Sequence, residues 1–248
     1  MSQQQVSIPT PEGDARAFVF TPDSGAGPWP AALLFQDAFG MRPALYAMGE
    51  RLAQAGYYVV LLDLYWRAGV YEPLVPARVR GGDADAEAEL ARLRTSIKGD
   101  TTVRDVGAAL DWIGTQPQAK PGKVGLSGYC MGGRLALRVA GTWPDRVAAA
   151  ASFHGGGLAN DDAISPHLLA PKITARVLVA GAENDKNFPP EQLDRLVEAF
   201  DAAGTDYEAS IWPGVKHGWV PGDTPVHSPE GAEKHWQALI PFLDGALK

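Results

Sequence analysis

The order of apolar segments predicts an α/β protein: a mostly parallel sheet with helices on both faces. Three observations carry that expectation. Short apolar runs alternate with helical stretches of about 10 to 17 residues, a pattern that calls for right-handed crossovers between parallel strands. Glycine, proline or aspartate bounds most of the runs. The residues with reactive chemistry follow runs directly, where the carboxyl ends of parallel strands place sites.

Taken in order, Ala17–Phe20 reads as a short early strand and Ala31–Phe35 as a buried one, bounded upstream by the Gly/Pro-rich Gly25–Pro30. Pro43–Ala55 has helical spacing, with Leu45, Met48, Leu52 and Ala55 on one face and Gly56 as the stop. Tyr57–Leu62 is the next strand, ended by Asp63. Within residues 67–99, Asp83–Leu93 has helical composition but little apolar periodicity and reads as an excursion over the surface. Thr101–Gln116 is an amphipathic helix whose Val103, Val106, Ala109, Leu110 and Ile113 face inward; Pro117 and Pro121 end it. Lys123–Ser127, Val147–Phe153, Arg176–Gly181 and Tyr207–Trp212 are strands. Gly132–Gly141, Pro190–Ala203 (closed by Gly204) and Glu230–Leu247 are helices. No repeat or linker divides the chain, so residues 1–248 are expected to form one domain.

Composition narrows the function. Hydrophobic residues make up 46% and charged residues 21% of the 248 positions, with mean hydropathy −0.13, ordinary for a globular protein. A net charge of −7 argues against a general nucleic-acid or anionic-membrane binder. Cys130 is the single cysteine, so no intramolecular disulfide points to an oxidising compartment. Met1–Pro11 lacks the basic-then-apolar pattern of a signal peptide, and no run approaches 18 apolar residues. A cytoplasmic monomer is the expectation.

The strand Lys123–Ser127 is followed by Gly128-Tyr129-Cys130-Met131-Gly132-Gly133, and Arg134-Leu135-Ala136-Leu137 opens a helix. This is the setting of a nucleophile elbow, with cysteine where serine usually stands. The residues two before and two after the nucleophile must be small for strand and helix to pack, and Gly128 and Gly132 fill both places. The helix N-terminus aimed at the sulfur favours thiolate. The plain alternative is that Cys130 is a small buried hydrophobe.

A thiol nucleophile needs a base, and the base needs an orienting group. In α/β-hydrolases these follow in the order nucleophile, acid, histidine. After Arg176–Gly181 comes Ala182-Glu183-Asn184-Asp185-Lys186, offering Asp185 or, second, Glu183 as the acid. After Tyr207–Trp212 comes Pro213-Gly214-Val215-Lys216-His217-Gly218-Trp219, offering His217 as the base. His154 and His167 precede the acid; His227 lies towards and His235 within the final helix, where a surface place is expected. Histidines and acidic residues show no metal-ligand spacing such as H-E-x-x-H, so neither metal nor organic cofactor is expected.

These segments resemble the dienelactone hydrolase family of α/β-hydrolases, from about Pro9 to the last helix. The resemblance is carried by Phe35-Gln36-Asp37-Ala38-Phe39-Gly40, Asp63-Leu64-Tyr65-Trp66-Arg67, Gly125-Leu126-Ser127-Gly128-Tyr129-Cys130-Met131-Gly132-Gly133, Gly181-Ala182-Glu183-Asn184-Asp185 and His217-Gly218-Trp219. It implies an α/β-hydrolase fold, a triad of Cys130, Asp185 and His217, and an oxyanion hole from the N–H groups of Met131 and Ala38. It implies a small-molecule ester or lactone substrate. Asp37 stands where the family keeps a thiol-gating glutamate. The family's arginine just after the histidine is missing from Trp219-Val220-Pro221, leaving Arg67, Arg134 or Arg80 to hold a substrate anion, with Trp219 and His154 as further substrate contacts. The rival readings are a general carboxylesterase or thioesterase, and a non-catalytic small-molecule binding protein.

Overall fold

The computed structural model describes residues 2–97 and 100–248. Its centre is an eight-stranded sheet made of β1 (Ser2–Thr10), β2 (Gly13–Thr21), β3 (Ala31–Phe35), β4 (Tyr58–Leu62), β5 (Val124–Tyr129), β6 (Val147–Phe153), β7 (Arg176–Ala182) and β8 (Tyr207–Trp212). The strand order is β1-β2-β4-β3-β5-β6-β7-β8. The β1–β2 hairpin and the β2–β4 pair are antiparallel; every other pairing is parallel. The architecture is the α/β-hydrolase fold expected from the sequence.

The helices are α1 (Pro43–Gln54), α2 (Pro76–Arg80), α3 (Ala84–Thr95), α4 (Thr101–Gly114), α5 (Met131–Thr142), α6 (Pro190–Ala203) and α7 (Pro229–Leu247). They cover both faces because the central strands are apolar on both. Along β3, Ala31, Leu33 and Phe35 join the core under α4, α5 and α6, while Ala32 and Leu34 join the core under α1 and α7. All five are at most 1% exposed, and burying a leucine or phenylalanine side chain contributes about 1.5–3 kcal/mol.

Two elements depart from the sequence reading. The early strand is longer than Ala17–Phe20 and is preceded by β1, a polar edge strand from which, among the described side chains, Val6 and Ile8 reach the core. The surface excursion at Asp83–Leu93 is a regular helix; residues 98 and 99, at the end of the same stretch, lie outside the described residues. The Asp83 side chain accepts a hydrogen bond from the Ala86 N–H at 3.0 Å, so capping rather than an apolar stripe starts this helix. Only Ala86 and Leu93 are buried along it.

The fold matters for chemistry because the strand order reverses between β3 and β5, and the crevice beyond their carboxyl ends is a topological switch point. The segments Gln36–Gly40 and Tyr129–Met131 leave the sheet side by side there.

Candidate active site

The β5–α5 turn places the sulfur. Cys130 has φ 54° and ψ −114°, a conformation a non-glycine residue holds only when its surroundings enforce it, at a cost of about 1–3 kcal/mol. Two glycines permit the turn. A Cβ on Gly128 would lie 2.0 Å from the Gly132 carbonyl oxygen, and one on Gly132 would lie 2.5 Å from the carbonyl oxygens of both Phe35 and Gln36. The Cys130 N–H donates to the Phe153 carbonyl at 3.1 Å. The residue is partly exposed, so the sulfur is not sealed in hydrocarbon.

The loops after β7 and β8 bring two further groups to it. His217 Nε2 stands 3.1 Å from Cys130 Sγ. On the far side of the ring, Nδ1 stands 2.6 Å from Asp185 Oδ2. The other carboxylate oxygen, Oδ1, accepts from the Asn187 backbone N–H at 2.9 Å and its side-chain amide at 3.0 Å. Both oxygens are thereby fixed and the imidazole is oriented through Asp185. Glu183, the alternative acid, is exposed and accepts from the Gly214 N–H at 3.2 Å instead.

The electrostatics follow the geometry. Burial alone would push the His217 imidazole down, but its hydrogen bonds to Asp185 and to the Cys130 sulfur outweigh burial and hold it up at about 10. Burial would raise the Asp185 carboxyl; the bonds from His217 and Asn187 bring it below the usual carboxylate range.

The backbone N–H groups of Met131 and Ala38, both at the crevice, have no protein acceptor among the described residues. Met131 is the first residue of α5, where the N–H has no helical partner. The Ala38 peptide is steadied on both sides. The Asp37 carbonyl accepts from the Gly40 N–H at 3.4 Å, and the Ala38 carbonyl accepts from the Tyr65 hydroxyl at 2.9 Å.

Residues 15–247 match the model of the dienelactone hydrolase family. The chain belongs to that family. A provisionally assigned carboxymethylenebutenolidase of Yersinia pestis is 26% identical over 246 residues, covering 96% of this chain and 86% of the relative. Another so assigned, from Synechocystis, is 24% identical over 248 residues, covering 98% of this chain and 96% of the relative. Among solved structures, a provisionally assigned dienelactone hydrolase of Klebsiella pneumoniae superposes with a TM-score of 0.82 at 22% identity, covering 98% of both chains. The protein is thus a hydrolase of the dienelactone hydrolase type.

Within that family frame, several expected contacts lie elsewhere. The Asp37 carboxylate is not hydrogen-bonded to the thiol: both its oxygens are taken by the Arg42 guanidinium, at 2.7 and 2.8 Å, and Oδ1 also accepts from the Phe39 N–H. Arg67 forms a fork on Asp105, at 2.5 and 2.8 Å, and reaches Glu12; its charge is neutralised beside α4. Arg134 stands beside Met131 at the rim of a cavity of about 200 Å³, but its guanidinium is held by the Gly157 carbonyl and Asp162.

His154 and Trp219 are fully buried and lie behind the imidazole rather than lining open space. The His154 ring meets the His217 ring edge-on with centroids 5.2 Å apart, and Trp219 packs on His154 at 5.0 Å. Burial, reinforced by His217 and His235, holds His154 well below the usual histidine range, so its ring is neutral. His235 is buried too, not on the surface of α7, with Nε2 2.8 Å from the Tyr129 hydroxyl.

Arg80, the third arginine considered, is brought to the site. Its Nη2 donates to the His217 carbonyl at 3.0 Å, it lies over the Phe39 ring, and it has no carboxylate partner among the described residues. Asn187, which donates to Asp185, Tyr65, which donates to the Ala38 carbonyl, and Arg42, which donates to Asp37, escaped sequence reasoning as site residues. Asn187 alone left a local sign: a polar residue two positions past the acid, where an Asx-type turn returns a donor to the carboxylate.

Proposed function

We propose that this hydrolase cleaves a lactone or activated carboxylic ester through Cys130 as nucleophile, His217 as base and Asp185 as the orienting carboxylate, with an acyl-thioester intermediate. The observation that carries the reading is the unbroken line Sγ–Nε2, Nδ1–Oδ2 at 3.1 and 2.6 Å, hydrogen-bond reach at both steps.

In this reading the thiol proton passes to His217, and the thiolate adds to the carbonyl carbon. The resulting oxyanion is received by the Met131 and Ala38 N–H groups, each worth about 3 kcal/mol in acyl transfer. The tetrahedral adduct collapses, the C–O bond breaks, and His217 returns its proton to the departing enolate or alkoxide. Thioester formation removes the negative charge on sulfur that had favoured the imidazolium, so the ring becomes a base for water. Water then adds to the thioester, the Cys130–acyl bond breaks, and acid is released. A thiolate is a better leaving group than an amine, which directs the chemistry towards activated esters over amides.

For substrate selection, Arg80 is the cation we assign to a carboxylate on a dienelactone-like lactone. The lack of an arginine in Trp219-Val220-Pro221 favours the alternative, a general carboxylesterase or thioesterase that accepts uncharged esters equally well. Two variants test the reading. Cys130→Ala is expected to abolish turnover of both a carboxylate-bearing enol lactone and p-nitrophenyl acetate while the circular dichroism spectrum is unchanged; retained wild-type turnover would remove Cys130 from the chemistry. Arg80→Gln is expected to raise KM for the anionic lactone about tenfold, the loss of one charge-assisted hydrogen bond, without changing that for the neutral ester. Equal effects on both substrates would favour the general esterase.

A further inference from the structure

Arg42 is 1% exposed, and each of its five N–H donors is used. Nη1 donates to Asp37 Oδ1 at 2.7 Å and to the Gly40 carbonyl at 3.1 Å. Nη2 donates to Asp37 Oδ2 at 2.8 Å and to Asp223 Oδ1 at 3.2 Å. Nε donates to Asp223 Oδ2 at 2.6 Å. Two of these partners, Asp37 and Gly40, flank Ala38. The third comes from the segment that follows His217.

That segment is laced to the histidine. Thr224, next to Asp223, donates its hydroxyl to the Gly218 carbonyl at 2.7 Å, one residue beyond His217. A second, outer link runs in parallel: the Phe39 ring stacks against the Arg42 guanidinium at 5.6 Å and against Arg80 at 5.9 Å, and Arg80 holds the His217 carbonyl. A continuous set of contacts therefore joins the loop bearing the Ala38 N–H to the loop bearing the imidazole.

We propose that the Asp37–Arg42–Asp223 triplet, a buried pair of Asp37 and Arg42 joined to Asp223 at the surface, is a clamp that fixes these two loops relative to each other, making Arg42 and Asp223 positioning residues for ester cleavage. The inference rests on the catalytic use of Ala38 and His217 proposed above. Its physical basis is that the buried Asp37–Arg42 pair is a poor way to gain stability, since desolvation offsets most of the attraction. What a saturated guanidinium fork supplies is direction: five donors in one plane with fixed angles. The two groups it aligns, an oxyanion donor and a base, must meet the same substrate carbonyl, and small misplacements there slow the reaction strongly. The same bonds hold Asp37 on Arg42 and away from any gating of the thiol.

The test is a set of folded variants assayed with p-nitrophenyl acetate beside Cys130→Ala. Asp223→Ala is expected to lower kcat about tenfold with KM within about twofold of wild type, as lost alignment in the transition state does. Asp223→Asn, whose amide oxygen still accepts from Nε, is expected to recover most of that loss. Arg42→Lys, which has no fork, is expected to behave like Asp223→Ala. Thr224→Val leaves the ion triplet whole, cuts its link to Gly218, and is expected to lower kcat about threefold to tenfold should the Asp223 variant not fold. Wild-type kcat in folded Asp223→Ala, or in Thr224→Val if the former unfolds, overturns the clamp. So does a kcat loss that Asn fails to recover. An active Cys130→Ala instead overturns the nucleophile assignment, a separate failure.

Discussion

Blocking the sulfur should change how the imidazole titrates. In the resting site His217 is held at about 10, against an ordinary value near 6.5, which corresponds to roughly 5 kcal/mol favouring the protonated ring. Two groups supply that preference against burial: Asp185 at 2.6 Å and the Cys130 sulfur at 3.1 Å. With an effective dielectric of about 20, unit charges at those separations interact by roughly 6 and 5 kcal/mol, so the two contribute comparably. Alkylation of Cys130 with iodoacetamide turns the sulfur into a neutral thioether and removes its share. Losing an interaction of roughly 5 kcal/mol should then lower the His217 titration midpoint by about three to four pH units. The measurement is a long-range ¹H–¹⁵N correlation of the imidazole nitrogens against pH in free and alkylated protein, with Cys130→Ala as a second neutral reference. If His217 titrates at the same pH in all three, the sulfur does not act on the ring, and the account of how the ring changes from acid to base after acylation fails with it.

Two further outcomes follow from packing and linkage. Gly128→Ala should destabilise the fold by about 3 kcal/mol or more, because the new methyl lands 2.0 Å from a backbone oxygen that cannot yield. Thermal melting checks this against Gly114→Ala, which has open space around its Cβ and should be close to neutral; equal melting temperatures for the two variants would show that the turn has room to relax. His235 is buried and held down at about 3, chiefly by burial. A histidine with a depressed value is neutral when folded and takes up a proton on unfolding, so its stability contribution is lost as pH falls below about 6.5 and continues to be lost down to about 3. Between pH 7 and pH 5 this costs about 2 kcal/mol. Urea unfolding at the two pH values should show that slope lessened in His235→Gln, and an unchanged slope would mean that the ring is solvated or already charged.

The parts of the site that were legible in the sequence are those set by local sterics. Gly128 and Gly132 bracket Cys130 because there is no room for a Cβ at either place: for Gly128 the obstacle is Gly132 within the same turn, and for Gly132 it is the end of the neighbouring strand β3. The loops bearing Asp185 and His217 were legible because each follows an apolar run, and parallel strands deliver such loops to one edge. The choice of Asp185 over Glu183 was not local. It depends on Glu183 being drawn to the Gly214 N–H while Asn187 holds Asp185. The edge strand β1 was hidden for a related reason: it buries little beyond Val6 and Ile8, so polar residues fill it and the pattern of a strand is faint. His235 was misread as a surface residue because a polar side chain in an amphipathic helix is inward only when a partner waits for it, here the Tyr129 hydroxyl.

The same distinction explains the arginines. Arg67, Arg80 and Arg134 are indistinguishable in sequence as anion holders, because all three lie in segments that approach the crevice. What separates them is where compensating carboxylates fall. Asp105 and Glu12 neutralise Arg67 and Asp162 pairs with Arg134, whereas Arg80 meets a carbonyl and an aromatic ring. Arg42 bonds Asp223 across 181 positions of chain, a pairing that no window of sequence contains. A cation's capacity to receive a substrate anion is thus a property of the charge left after the fold has paired it, and of these three arginines Arg80 is the one left without a carboxylate partner among the described residues.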